Sequence, residues 1–133
     1  MAYALMSYNK LIKGPVIPVP SLFNKDESVN YNGLTKYVEF LSESGIQTVM
    51  TTVGTSRYNL LNWEEIKLNN EALVNGCKKN TKSIVANPTT GGLYSAIEFG
   101  KHAESIGADF YLVYFPERFY GADNTFSFFI MIY

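Results

Sequence analysis

The stretch Val53-Gly54-Thr55-Ser56-Arg57-Tyr58 concentrates more potential chemistry than any other part of the chain. A glycine placed straight after a β-branched run permits tight backbone geometry. The two adjacent hydroxyls of Thr55 and Ser56, with the backbone N–H groups behind them, can hold a small carboxylate. The same residues also suit a plain strand-to-loop turn, in which Thr and Ser satisfy the local backbone. Arg57 could pair with a longer or doubly acidic ligand, and a solvated surface arginine is the competing reading. The remaining chemistry-bearing residues read as structural. His102, the single histidine, falls near the C-terminal turn of a helical stretch, where a cation or a packing role fits. Cys77 packs at a helix end, Trp63 anchors a first helical turn, and Lys78-Lys79 is a solvated pair. Glu64 and Glu65 are neighbours on a helix and do not face each other, so they suit the helix dipole rather than a catalytic dyad.

Alternating strands and helices would position these residues. Pro15 to Val19 is a short extended segment, because its prolines permit a first strand but not a helix. Leu34, Tyr37, Val38 and Leu41 recur at helical spacing and Gly45 stops them. Thr48 to Val53 reads as a second strand. Asn62 can cap a helix whose apolar face holds Ile66, Leu73, Val74 and Cys77. Ser83 to Ala86 is a third strand, Ala96, Ile97, Gly100 and Ala103 mark a third helix ending at Gly107, and Phe110 to Phe115 is a fourth strand. A short helix at Asn124–Phe129 and a fifth strand at Ile130–Tyr133 are expected to follow. Glu43-Ser44-Gly45-Ile46 and Glu104-Ser105-Ile106-Gly107-Ala108 resemble each other as helix ends leading into the sheet. Such alternation builds a parallel sheet, either open and doubly wound or the first half of a (β/α)8 barrel. Two features favour the barrel. No glycine-rich phosphate loop follows the first strand. The polar residues gather after strands two and three (Thr51, Thr52, Thr55, Ser56; Asn87, Thr89, Thr90), the face where barrels place their sites.

Composition narrows the function classes. The chain has 133 residues, 47% hydrophobic and 17% charged, with a formal charge of −1, so it can build a packed core and lacks the basic excess that nucleic-acid binding needs. One cysteine and one histidine exclude a disulfide framework, a cysteine-rich zinc site and a two-histidine metal site within it. No apolar run reaches the roughly 18 residues of a membrane span, and the N-terminus lacks the apolar core of a secretory signal. A soluble, cytoplasmic protein with no membrane partner is expected. The last eight residues, FSFFIMIY, contain seven apolar ones. They read either as a buried final strand or as a sign that the chain is part of a larger folded unit.

Four stretches together resemble the dihydrodipicolinate synthase/N-acetylneuraminate lyase family, the pyruvate-type class I aldolases. Gly14 to Pro20 with Phe23 resembles the opening strand and its "TPF" turn. Leu34 to Gly45 resembles the first helix. Val53-Gly54-Thr55-Ser56 resembles the "GTTGE" signature, with Arg57-Tyr58 in place of its Gly-Glu. His102 to Asp109 resembles the "A..AGAD" segment before the fourth strand. The resemblance implies a (β/α)8 TIM barrel, of which residues 14–133 supply roughly the first half and residues 1–13 an N-terminal tail. It implies a lyase or aldolase acting on a 2-keto acid such as pyruvate through a lysine Schiff base. Thr55 and Ser56 would be substrate-binding and hold the carboxylate, and Tyr133 would be catalytic, relaying protons. No metal or organic cofactor is implied, and a homo-oligomer is expected by resemblance.

Three departures from the family pattern qualify these implications. The "PPYY"-like segment is Phe115-Pro116-Glu117-Arg118-Phe119-Tyr120, which leaves Tyr120 without a role. A Schiff-base lysine must be buried with a lowered pKa, and Lys78, Lys79, Lys82 and Lys101 occupy no strand-end position facing a site. The lysine is therefore expected from residues not in this chain, and the chain alone is expected to be inactive. The interval between Phe129 and Ile130 is also about ten residues short of a further βα unit. The alternative is a catalytically inactive half-barrel that serves as a binding or association module.

Overall fold

A computed structural model of the chain describes residues 12–114. Four strands, β1 (Val16–Pro18), β2 (Thr48–Met50), β3 (Lys82–Ala86) and β4 (Phe110–Leu112), alternate with three helices, α1 (Tyr31–Glu43), α2 (Trp63–Gly76) and α3 (Leu93–Ser105). The strands pair in the order β1-β2-β3-β4, and each pairing is parallel. An open doubly wound sheet reverses its strand order at a switch point. Here the order follows the chain without reversal, as in a barrel. Val49 pairs with Ile17 on one side and with Ser83 on the other.

Local chemistry sets the helix ends. Asn30 opens α1 by accepting the Gly33 N–H at 2.7 Å. At α2, Asn62 accepts from Glu65 N at 2.9 Å and the Glu65 carboxylate accepts from Asn62 N at 2.8 Å. This reciprocal capping satisfies two donors that would otherwise lack partners. The similarity between the ends of α1 and α3 is a shared cap. Gly45 and Gly107 both adopt positive φ, 89° and 74°. Ile46 N donates to Leu41 O and Ala108 N donates to Ala103 O, at 3.1 and 3.0 Å. A left-handed residue after the last turn lets the chain reverse while the final carbonyls stay paired.

The core lies between sheet and helices. Val19, Leu34, Val38, Val49, Leu73 and Val85 are fully buried in one cluster. A smaller cluster of Leu61, Ile66 and Phe99 lies beside it. Close contact between α1 and α2 depends on Gly76, where a Cβ would fall 2.6 Å from the Thr35 carbonyl oxygen and 2.7 Å from Val38 Cβ. No helix among the described residues is long and apolar enough to cross a membrane.

Two strands are shorter than the sequence suggests. β2 stops at Met50 because Thr52 takes a φ of 60°, which breaks the extended backbone. β4 stops at Leu112, and the Asn87 side chain takes the place of a ladder partner beyond it. Asn87 Oδ1 accepts from Tyr114 N at 2.7 Å and Asn87 Nδ2 donates to Tyr114 O at 3.3 Å. The expected helix at 124–129, the expected strand at 130–133 and Tyr133 lie outside the described residues.

Candidate functional site

The chain leaves β2 through a sharply shaped turn. Gly54–Ser56 form a single 3-10 turn, Arg57 follows in the left-handed region at φ 54° and ψ 32°, and Tyr58–Leu60 form a second turn. Left-handed backbone costs a residue with a Cβ roughly 1–2 kcal/mol relative to glycine. The family signature carries glycine where Arg57 stands, and the φ of 54° gives the physical reason for glycine there.

Thr55 and Ser56 are adjacent but not equivalent. Thr55 is exposed and Ser56 is fully buried. The Ser56 hydroxyl accepts the Val53 N–H at 3.2 Å, so it braces the turn from inside and retains its own proton for donation. The Ser56 carbonyl accepts from both the N–H and the hydroxyl of Ser21, at 3.1 and 2.6 Å. The segment after β1 thereby holds the segment after β2. Free-standing N–H groups open any such short turn, because its first amides have no partner within it.

The segment after β3 joins the same region. The Tyr58 hydroxyl lies 2.9 Å from Thr89 Oγ1. Tyr114, just beyond β4, has its phenol pushed up by burial and further by the nearby Tyr58. The structure therefore gathers residues that follow all four strands at one end of the sheet. It places the predicted Thr55 and Ser56 there; Tyr133 lies outside the described residues.

Sequence reasoning missed two residues that support this end. Asn69 and Asn70 are both about 1% exposed on the inward face of α2. Thr52 Oγ1 donates to Asn70 Oδ1 at 2.7 Å. Asn69 Nδ2 donates to Thr51 Oγ1 at 3.1 Å and to Ser21 Oγ at 3.3 Å. The signal was available in the spacing: positions 66, 69, 70 and 73 form one helical stripe, so two amides sit where apolar residues are usual.

The structural readings of the other polar residues agree with the geometry. His102 Nε2 lies 3.3 Å from the Lys67 carbonyl and 3.7 Å from Glu71. Trp63 packs edge-on against Phe99 with ring centroids 6.2 Å apart. Lys78 pairs with Glu39 at 2.7 Å. Burial, helped by the charge of Asp109, pushes the Cys77 thiol up to about 12, which leaves it a poor nucleophile at neutral pH.

Comparison with known proteins agrees with this architecture. A profile of the Dihydrodipicolinate synthetase family matches residues 11–125. An uncharacterized DapA-like lyase from Pyrococcus furiosus is 30% identical over 107 residues, covering 79% of this chain and 35% of that protein. A 4-hydroxy-tetrahydrodipicolinate synthase from Methanococcus vannielii is 30% identical over 92 residues, covering 69% of this chain and 32% of that protein. Among solved structures, a prophage protein of the dihydrodipicolinic acid synthase family from E. coli K12, determined in complex with pyruvate, superposes with a TM-score of 0.80. It is 22% identical, covering 92% of this chain and 41% of that one, and supports the fold alone. The chain spans about a third of the length of the curated relatives. The described strands and helices have the fold of part of a (β/α)8 barrel.

Proposed function

Because the chain belongs to the dihydrodipicolinate synthetase family, we propose that it forms the carboxylate-binding part of a lyase acting on a 2-keto acid such as pyruvate. The reaction is carbon–carbon bond formation or cleavage. A lysine supplied by residues outside this chain attacks the keto carbonyl, water leaves, and an imine forms that stabilises the adjacent carbanion. Thr55 and Ser56 hold the carboxylate in different ways. Thr55 presents its hydroxyl outward, and the turn presents backbone amides beside it. Ser56 braces the turn through Val53 and keeps one proton to give to an oxygen that reaches it. Hydrogen bonds to a carboxylate are charge-assisted and stronger than neutral ones. Tyr133 is the proposed proton relay, and that assignment rests on the family resemblance.

The observation that carries this reading is the turn at Gly54–Ser56, placed at the C-terminal end of β2 in a sequentially ordered parallel sheet. Active sites of barrel enzymes occupy that end. The test is borohydride reduction of the intact enzyme in the presence of pyruvate, followed by mass analysis. A reduced adduct on a lysine outside these 133 residues supports the proposal.

A second reading, association without catalysis, has its own observation. Among the described residues β1 and β4 each keep one unpaired edge, and Phe40 on α1 is 61% exposed. Absence of any adduct, together with a dimeric mass by light scattering, favours that reading.

A further inference from the structure

Asn69 is an unusual residue for its place. It sits on the inward stripe of α2, about 1% exposed, yet its Oδ1 has no hydrogen-bond partner among the described residues. A buried acceptor without a partner carries an uncompensated desolvation cost, so its presence calls for a reason. The orientation of the amide is fixed by its neighbours. Ser21 Oγ spends its single proton on the Ser56 carbonyl at 2.6 Å. The group that faces Ser21 Oγ across 3.3 Å must therefore be a donor, which places Nδ2 there and leaves Oδ1 unpaired. The second Nδ2 proton goes to Thr51 Oγ1 at 3.1 Å. One amide thus ties α2 to the segment after β1 and to the segment after β2. Through Ser21 it reaches the carbonyl of Ser56 itself.

We infer that Asn69 is a positioning residue for the keto-acid carboxylate, setting the Thr55–Ser56 turn through the relay Asn69 Nδ2, Ser21 Oγ and Ser56 carbonyl. This rests on the functional reading above. Leucine at position 69 would fill nearly the same space, leave Ser21 bonded to Ser56, and remove the orphaned acceptor, but would strip the fully buried Thr51 hydroxyl of its Asn69 donor. Stability alone therefore does not decide for asparagine there. The geometry of the turn does: Ser21 Oγ accepts from Asn69 while donating to Ser56, so the amide fixes the direction in which the hydroxyl points. A misplacement of about 1 Å caused far from the reacting atoms can cost roughly a hundredfold.

The test uses Asn69→Leu, Ser21→Ala and the double variant in the intact enzyme, with pyruvate KM, kcat and Tm measured for each. Asn69→Leu is expected to raise KM about tenfold with kcat within about twofold, a split that a change in Tm alone would not produce. Ser21→Ala raises KM similarly. The double variant is no worse than the worse single one, because the two act along one path. If Asn69→Leu does not fold, Ser21→Ala, read as KM against kcat, carries the test from the other end. Unchanged KM in the variants, or effects that multiply in the double variant, overturns the positioning role. If the unmodified enzyme traps no pyruvate under borohydride, the keto-acid reading falls and this role falls with it. If pyruvate is trapped normally and KM does not move, the positioning role alone falls.

Discussion

The Tyr58 hydroxyl and Thr89 Oγ1 lie 2.9 Å apart, although 31 residues separate them along the chain. The contact joins the segment after β2 to the segment after β3, across the end of the sheet where the candidate site lies. Tyr58 is half-buried, and its ring packs against the cluster of Leu61, Ile66 and Phe99. Tyr58→Phe keeps that packing and removes only the hydroxyl. A loss of about 0.5–1.5 kcal/mol in unfolding free energy is expected. Urea denaturation checks it, and an unchanged midpoint would show that the bond contributes nothing.

Arg57 is exposed and sits at φ 54°. Arg57→Gly relieves the left-handed strain but gives the unfolded chain more freedom. The first effect is the larger, so a gain of about 0.5–1 kcal/mol is expected. A lower denaturation midpoint would contradict it. If Arg57 also pairs with an acidic group of a second substrate, the same variant weakens that substrate's binding and leaves pyruvate binding unchanged.

Gly76→Ala introduces a Cβ 2.6 Å from the Thr35 carbonyl oxygen. The contact is with backbone, so α1 and α2 must move apart. Overpacking of this kind costs about 1–3 kcal/mol. A thermal melt should fall accordingly, and an unchanged melt would mean that the two helices separate freely.

Asp109 predicts a pH dependence. Burial works to raise its carboxyl, but Lys82, the Ser83 N–H and the Ser83 hydroxyl outweigh burial and hold it below the usual carboxylate value. A group depressed in the folded state contributes stability above its unfolded value, near about pH 4. That contribution is lost as pH falls through the lower folded value. Asp109→Asn should therefore flatten the acid side of a Tm-against-pH curve and leave a nearly constant offset at neutral pH. A curve parallel to that of the unmodified chain down to low pH would contradict this.

Periodicity and turn residues made most of the fold readable. Asn62 with Glu65, the β-branched run at 48–53 and the paired helix ends at Gly45 and Gly107 each act over a few residues. Strand lengths were less readable because they depend on distant partners. The Asn87 side chain occupies the backbone of Tyr114, 27 residues away, and the left-handed Thr52 ends β2 early. Phe99 escaped notice because the small residues of α3, rather than the Phe99 ring, suggested the inward face. In the site, the Thr55–Ser56 pair was visible from residue type. The relay from Asn69 through Ser21 was not, since it joins three segments brought together only by folding.

Borohydride trapping with pyruvate tests the central claim most directly. The intact enzyme is treated with pyruvate and borohydride, digested, and its peptides mapped by mass. The account predicts one reduced pyruvate adduct, on a lysine outside these 133 residues, with trapping weakened in Thr55→Val. No adduct, or an adduct on any lysine of these 133 residues, would contradict it.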